Sequence, residues 1–160
     1  MSDSDRSPAD AAYLKALDLL SRRDRSRAEL QQKLAARGHG AGAIDEALAR
    51  LTDQGFIDDA RFAASWVDSA LRSGRGYGPR LALELRNRGI DRQLAAAAIA
   101  AATAETTETE VLAGIVARRF AGFDHRAATP REKQRVYGYL QRRGFSLTTI
   151  FAFFRNNDTE

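Results

Sequence analysis

Apolar residues recur along most of the chain at intervals of three and four positions, which is the spacing of one face of an α-helix. The first such series is Leu14, Leu17 and Leu20, and the last is Ile150 and Phe154. No stretch alternates between apolar and polar residues as a half-buried β-strand would. The hydrophobic pattern therefore predicts an all-α protein.

Signals for helix ends divide this pattern into nine helices. Ser26 with Glu29, and Thr129 with Glu132, have the spacing of a capping box, in which each side chain bonds a free backbone N–H group. Glycine readily adopts the left-handed conformation that ends a helix. The glycines that follow an apolar series are Gly38, Gly55, Gly74, Gly89 and Gly144.

The nine helices fall into three groups of three that share one register. When Gly38, Gly89 and Gly144 are aligned, the position four residues earlier is leucine in every copy, and the position immediately before is arginine. Self-similarity at a fixed period is typical of repeat architectures. The sequence therefore indicates three tandem three-helix repeats with the character of helix-turn-helix units.

The repeats also predict how the chain is organised. We expect them at residues 11–56, 57–102 and 103–157, with a flexible N-terminus at 1–10 and a C-terminal tail at 158–160. A unit of about 50 residues has little core of its own, so stacking neighbours buries the remaining apolar faces. This favours an elongated curved array, while a compact helical bundle is the alternative for the same helices.

Composition narrows the classes of function. The chain has no cysteine, which excludes disulfides and thiolate chemistry and suits a reducing cytoplasm. No apolar run approaches the about 20 residues that cross a bilayer, and the start of the chain lacks the pattern of a signal peptide. We therefore expect a cytoplasmic protein without membrane association. We also expect it to be a monomer.

Positive charge concentrates at the same place in each repeat. The chain has 25 Lys and Arg against 21 Asp and Glu, a net charge of +4. Basic residues cluster in segments 22–37, 72–92 and 126–143, at the end of each repeat's first helix and along its second. Stacked repeats would carry these patches as a stripe, which suits a long polyanion or an acidic groove. Codon usage in a GC-rich genome is the alternative explanation for part of the arginine content.

The basic segments supply the candidate partner-binding residues. Arg88 and Arg143 stand in the last turn of a helix, where a cation also interacts well with the helix dipole, so a purely structural role is the alternative for both. The candidates are Arg22, Arg23, Arg25, Arg27, Arg72, Arg75, Tyr77, Arg80, Arg88, Arg131, Lys133, Arg135, Arg142 and Arg143.

No group of residues has the spacing that catalysis or metal binding needs. His39 and His125 are the only histidines, and we expect both to be solvated, since neither has the spacing of a metal or triad partner. Asp58 and Asp59 are better explained as a helix cap and a first-turn acid than as metal ligands. Trp66 is predicted to lie in the core. We therefore expect no enzyme activity, no metal and no cofactor.

Several stretches, taken together and in order, resemble the RecX family over residues 11–156. They are GFIDDARFA at 55–63, GYGPR at 76–80 followed by Glu84, Leu85, Gly89 and Ile90, and YLQRRGFS at 139–146, with Ser26, Glu29, Leu30, Leu34 and Gly38 matching the opening pattern.

The resemblance implies both a fold and a function. RecX-like proteins are built from three tandem three-helix units. Membership would imply that the chain binds in the groove of the RecA filament on DNA, contacts more than one protomer, and limits the growth, stability and activity of the filament. Such a regulator acts in DNA recombination, DNA repair and the SOS response, and RecA would carry the ATP chemistry.

Two other functions remain open on the sequence. The second helix of each repeat is basic and long enough for an autonomous DNA-binding protein of helix-turn-helix type, and weak direct DNA contact is also compatible with the RecX resemblance. A helical scaffold that binds acidic proteins is the third reading. The dependence on salt and on RecA distinguishes autonomous DNA binding from RecA regulation. Autonomous DNA binding should weaken steeply with salt and should need no RecA.

Overall fold

The computed structural model describes residues 6–158, which form nine α-helices and no β-strand. The predicted all-α class is therefore confirmed. Residues 1–5 and 159–160, which belong to the expected flexible N-terminus and C-terminal tail, lie outside the described residues. The helices are α1 Pro8–Arg22, α2 Arg27–Ala35, α3 Ala41–Asp53, α4 Asp59–Ser73, α5 Pro79–Asn87, α6 Arg92–Thr103, α7 Glu108–Arg119, α8 Pro130–Arg142 and α9 Leu147–Asn157.

Capping side chains start the helices where the sequence predicts. The Ser26 hydroxyl accepts from the backbone N–H of Glu29 at 3.1 Å, and the Glu29 carboxylate accepts from the N–H of Ser26 at 3.1 Å. Thr129 and Glu132 form the same box at the start of α8. Thr107 and Glu110 form a third capping box at the start of α7, which was not predicted from the sequence.

Each group of three helices encloses its own hydrophobic core. Leu34, Leu85 and Leu140, which share one position in the repeat, are fully buried in the first, second and third cores. The closest helix pairings also lie within a unit, such as α1 with α3 and α4 with α6. The chain exposes 9951 Å², against about 7,900 Å² for a compact monomer of this mass. The elongated array is confirmed over the compact bundle.

The unit boundaries differ from the expected ones by a few residues. Helix α1 begins at Pro8, inside the segment expected to be flexible, because the Ser7 side chain caps it. Ile57, expected in the second repeat, packs in the first core. Asp158, expected in the tail, caps α9 and contacts His125, so it belongs to the third unit.

Neighbouring units meet end to end along their second helices. At the first junction the end of α5 lies against the start of α2, and the Ser26 hydroxyl donates to the carbonyl of Arg88 at 2.5 Å. Gly89 follows Arg88 with a positive φ of 74°, and a Cβ at this position would overlap that of Ala28. The glycine that ends α5 therefore also lets the first two units approach closely.

The second junction repeats this arrangement with the end of α8 against the start of α5. The N–H of Tyr77 donates to the carbonyl of Arg143 at 2.7 Å. Gly144 has a positive φ of 105°, and a Cβ there would overlap the carbonyl oxygen of Tyr77. Because both junctions use the same repeat positions, the three second helices form one continuous row.

Candidate partner-binding surface

The candidate residues divide into three groups according to what their side chains contact. Arg23, Arg75, Tyr77, Arg80, Arg88 and Arg143 take part in networks at the junctions between units. Arg22, Arg25, Arg27 and Arg72 bond groups elsewhere in their own unit. Arg131, Lys133, Arg135 and Arg142, all in α8, make no side-chain hydrogen bond or ion pair within residues 6–158.

Glu29 is the carboxylate that organises the first junction. It accepts hydrogen bonds from Arg88 at 2.7 Å and from Arg23 at 3.1 Å, and its side chain is only 13% exposed. Burial opposes its ionisation, but the bonds from Arg23, the Ser26 backbone and Arg88 outweigh burial and lower the pKa of Glu29 below its ordinary value. The junction therefore holds a charged glutamate between two arginines.

Trp66 extends this network into the second unit. Its indole N–H donates to Glu84 at 3.0 Å, and the guanidinium carbons of Arg88 and Arg75 lie 4.1 and 4.8 Å from its ring centre. Arg80 also pairs with Glu84, at 3.0 Å. The prediction that Trp66 lies in the core is only partly right, because its ring packs against the second core on one side and carries two cations.

The second junction holds Tyr77 and Arg143. The ring of Tyr77 stacks on Phe145 with centroids 5.2 Å apart, and burial, followed by the charge of Glu108, raises the pKa of Tyr77. The Arg143 guanidinium donates to the carbonyl of Arg75 at 3.0 Å. Arg143 therefore has a structural role, which was the alternative to partner binding. This role rests on its contacts across the junction as well as on its position at the helix end.

Four candidates bond within their own unit. Arg22 and Arg72 each pair with an aspartate one turn earlier, at 3.3 and 2.5 Å, and both are exposed. Exposed pairs of this kind contribute only about 0.3–0.5 kcal/mol, so a partner can displace them at little cost. Arg25 and Arg27 are half-buried and donate to a carbonyl and to a threonine hydroxyl at 3.2 Å.

The outer face of α8 carries cations that form no hydrogen bond or ion pair with residues 6–158, although hydrogen bonds from Thr129 and then the nearby charge of Arg135 lower the pKa of Glu132. Arg131, Arg135 and Arg142 are exposed and lie on one side of the helix, together with Gln134 and Gln141. No acidic residue shares this face, although Glu132 lies beside it in the capping box. Lys133 points away from the face and is half-buried. The surface can therefore meet an anion without first breaking an ion pair.

Gly138 lies at the centre of that face, in the interior of α8. A Cβ there would meet only the flexible end of Arg142, at 3.3 Å. A glycine costs about 1 kcal/mol relative to alanine inside a helix. Packing within the protein does not require a glycine at position 138. Close approach of a partner to the helix backbone would require one.

The predicted candidates leave out two exposed cations of the basic segments, and the environment of one histidine differs from its prediction. Arg86 and Arg92 lie in the basic segment 72–92, are exposed, and pair with no other residue in the described chain; their position in that segment was the available signal. The prediction that His125 is solvated is wrong. Its side chain is 18% exposed, lies 2.8 Å from Asp158 and 2.5 Å from the Tyr137 hydroxyl, and stacks on Phe154.

Residues 6–158 contain neither a metal-ligating cluster nor a membrane-spanning helix. Within them, no three His, Cys, Asp or Glu side chains are grouped so that they could hold a metal ion. The helices of this part of the chain are also too short or too polar to span a bilayer.

Comparison with known proteins assigns the fold and the family. Models of the RecX first, second and third three-helix domains match residues 12–51, 58–99 and 107–154. The crystal structure of RecX from Lactobacillus salivarius superposes with a TM-score of 0.75 at 24% identity, covering 96% of this chain and 98% of that one.

Curated relatives are similar to this chain in sequence over most of their length. The regulatory protein RecX of Syntrophotalea carbinolica is 37% identical over 147 residues, or 92% of this chain and 96% of that protein. The regulatory protein RecX of Halorhodospira halophila is 42% identical over 142 residues, or 86% of this chain and 82% of that protein. Since the similarity runs through all three units in order, the chain belongs to the RecX family.

Proposed function

We propose that this protein regulates the RecA recombinase, chiefly as an inhibitor, by binding in the groove of the RecA filament on DNA and limiting its growth, stability and ATP hydrolysis. The observation that carries the proposal is RecX-type sequence similarity over all three units. In this proposal the protein acts in the cytoplasm as a monomer, without a cofactor and without catalysing a reaction itself.

The array suits a filament as partner for a physical reason. Weak contacts spaced along a rigid body add up only when a partner presents several sites at matching distances. A filament does so and a free subunit does not, which makes binding selective for the assembled form. The exposed cations of α8 and the loosely paired Arg22 and Arg72 supply contacts in different units.

The junction residues have a different part in this proposal. Arg88 and Arg143 hold neighbouring units in register, so they act on filament binding by fixing the distances between the exposed cations. We assign direct contact to the exposed side chains of Arg22, Arg72, Arg131, Arg135 and Arg142. Arg23, Arg75, Tyr77 and Arg80, which also lie in the junction networks, support the geometry of this surface.

The test is RecA's ATP hydrolysis on single-stranded DNA, with the protein titrated well below one copy per RecA. We expect inhibition at these ratios, because limiting filament growth needs few molecules, whereas simple competition for DNA needs amounts comparable with the DNA sites. Unchanged hydrolysis would refute the proposal.

The contact assignment has its own matched comparison. Arg131→Glu with Arg142→Glu should abolish inhibition, whereas Lys33→Glu with Arg37→Glu, which changes the net charge equally at the end of α2, should keep it. If the two variants inhibit equally well, the outer face of α8 is not the contact.

A second candidate function is direct DNA binding through α8. The observation that favours it is the combination of arginine and glutamine side chains with Gly138 on one exposed face. Arginine binds phosphates and guanine, and glutamine bonds adenine in the major groove. Binding to a DNA duplex without RecA, weakening steeply with salt and lost on Arg131→Glu with Arg135→Glu, would support it. Salt-insensitive or absent binding would exclude it.

A further inference from the structure

An apolar groove runs between α5 and α6 in the second unit. It measures about 860 Å³ and is lined along its length by Ala82 and Leu83 of α5 and by Ala96 and Ile99 of α6. Leu83 is 38% exposed, and Ala82 and Ala96 are exposed as well. These three side chains are not part of the core of the unit, whereas Ile99 packs against that core.

The fold does not require this face to be apolar. Aligning Gly38 with Gly89 gives the same positions in the first unit, where the same three-helix fold exposes polar side chains. The positions of Ala82, Leu83 and Ala96 there carry Gln31, Gln32 and Asp45. Of these two units, only the second carries apolar residues at these positions. The three-helix fold does not require apolar side chains there, because the first unit forms the same fold without them.

The third unit covers the equivalent positions in another way. Tyr137 and Phe151 occupy the places of Ala82 and Ala96, and their rings pack edge to face with centroids 5.2 Å apart. Two aromatic rings occupy that surface, although Phe151 is itself 50% exposed. In the second unit, small side chains leave the corresponding space open.

One end of the groove is strongly basic. Arg86, in the last turn of α5, and Arg92, the first residue of α6, flank the groove at the turn between the two helices. Both are exposed, and neither bonds a carboxylate within residues 6–158. No acidic side chain lines the groove. An occupant would therefore meet an apolar slot with positive charge at one end.

We infer that this groove binds an amphipathic helix of a partner protein, with apolar residues on one face and carboxylates at the end that meets Arg86 and Arg92. A helix presents apolar side chains at i, i+3, i+4 and i+7 along one line, which matches a slot between two helices. The alanines let a third helix approach α6 closely, since the distance between helix axes depends on the side chains at the contact. The inference goes beyond RecA regulation and does not depend on it.

The experiment uses the full-length protein, labelled with ¹⁵N, and a synthetic peptide of about 14 residues, since isolated helices of this length are only marginal and gain from docking. The peptide carries leucines at i, i+3, i+4 and i+7 and three glutamates at one end. A scrambled peptide and one with lysines in place of the glutamates serve as controls. We expect amide shifts to change around Leu83 and Ala96 with the first peptide only.

The chain itself supplies the decisive variant. Leu83→Gln with Ala96→Asp installs the residues that the first unit carries at these positions, so we expect normal folding and a thermal midpoint close to that of the wild type. Peptide affinity should fall at least about tenfold. Leu147→Gln removes a leucine of similar exposure, 41%, from the third unit and should leave peptide affinity unchanged.

Several outcomes would overturn the inference. The groove would not be a helix-binding site if no peptide shifted its amides, or if the scrambled peptide bound as tightly. Equal binding of the lysine peptide would refute the acidic partner. Shifts at Leu83 that depend on protein concentration alone would make a second copy of the chain the occupant. Inhibition of RecA by the Leu83→Gln, Ala96→Asp variant tests the regulatory proposal separately, because it is read without peptide.

Discussion

Replacing Arg88 with methionine tests how much of the array depends on one side chain at the first junction. The wild-type guanidinium donates to Glu29 at 2.7 Å and lies 4.1 Å from the centre of the Trp66 ring. A hydrogen bond to a charged group contributes about 1.5–3 kcal/mol, and a cation–π contact about 0.5–2 kcal/mol. Because the side chain is partly solvated, the lower halves of these ranges apply, and we expect Arg88→Met to cost about 2–3.5 kcal/mol.

Trp66 makes this loss directly measurable. It is the only tryptophan in the chain, so its fluorescence reports the junction, whereas far-ultraviolet circular dichroism reports the helices of all three units. In Arg88→Met we expect the fluorescence transition in urea to move to lower concentration and to precede the dichroism transition. Arg86→Met is the matched control, since Arg86 is exposed and unpaired within the described chain. If both variants lie within about 0.5 kcal/mol of the wild type, which is ordinary for surface substitutions, the reasoning is refuted.

The same junction should depend on pH. Since the pKa of Glu29 is lower in the folded protein than its ordinary value, its ionisation stabilises the junction above the unfolded value of about 4.3, and this stabilisation is lost as the pH falls through the folded pKa. Glu29→Gln should be less stable than the wild type at neutral pH, with the difference shrinking below about pH 4. A difference that stayed constant with pH would contradict the assignment.

Three further predictions concern other positions. Gly89→Ala should cost about 1–3 kcal/mol through its positive φ alone, and more through overlap with Ala28, so Ala28→Gly should restore only part of the loss in urea titrations. Gly138→Ala should stabilise α8 by up to about 1 kcal/mol through helix propensity and so raise the thermal midpoint. The same change should weaken the binding of any ligand that approaches the α8 backbone closely. An unchanged midpoint would mean that packing opposes the added methyl group. His125→Ala should destabilise the third unit by about 2–4 kcal/mol, from two hydrogen bonds and a stacked ring, and a loss below about 1 kcal/mol by circular dichroism would refute this.

The fold was accessible from sequence because its determinants are local. A capping box spans four residues and a buried helix face repeats every three or four, so both are visible without knowledge of distant contacts. The shared positions of Leu34, Leu85 and Leu140 identified three units, and all three leucines are fully buried. The capping box at Thr107 follows the same local rule and could have been found.

The candidate surface was less accessible because pairing between charges is not local. Arg88 and Glu29 are separated by 59 positions, and His125 and Asp158 by 33. Sequence spacing cannot indicate such pairs, so an arginine that bonds across a junction looks the same as one that is free. Only the face of α8 was readable, since the positions of Arg131, Arg135 and Arg142 along one helix determine their side.

The division of the arginines between junctions and open surface explains why a chain with a net charge of only +4 carries so many. Three units with small separate cores need bonds between them, and Arg88 and Arg143 supply these at equivalent positions. Contacts between the second and third units, such as the bonds from Arg118 and Arg143 to the carbonyls of Arg72 and Arg75, then fix the distance from Arg72 to the face of α8. Avidity depends on that distance as much as on the charges themselves. In the proposed function, a variant that loosens a junction should therefore weaken binding to the filament even though every proposed contact residue is intact.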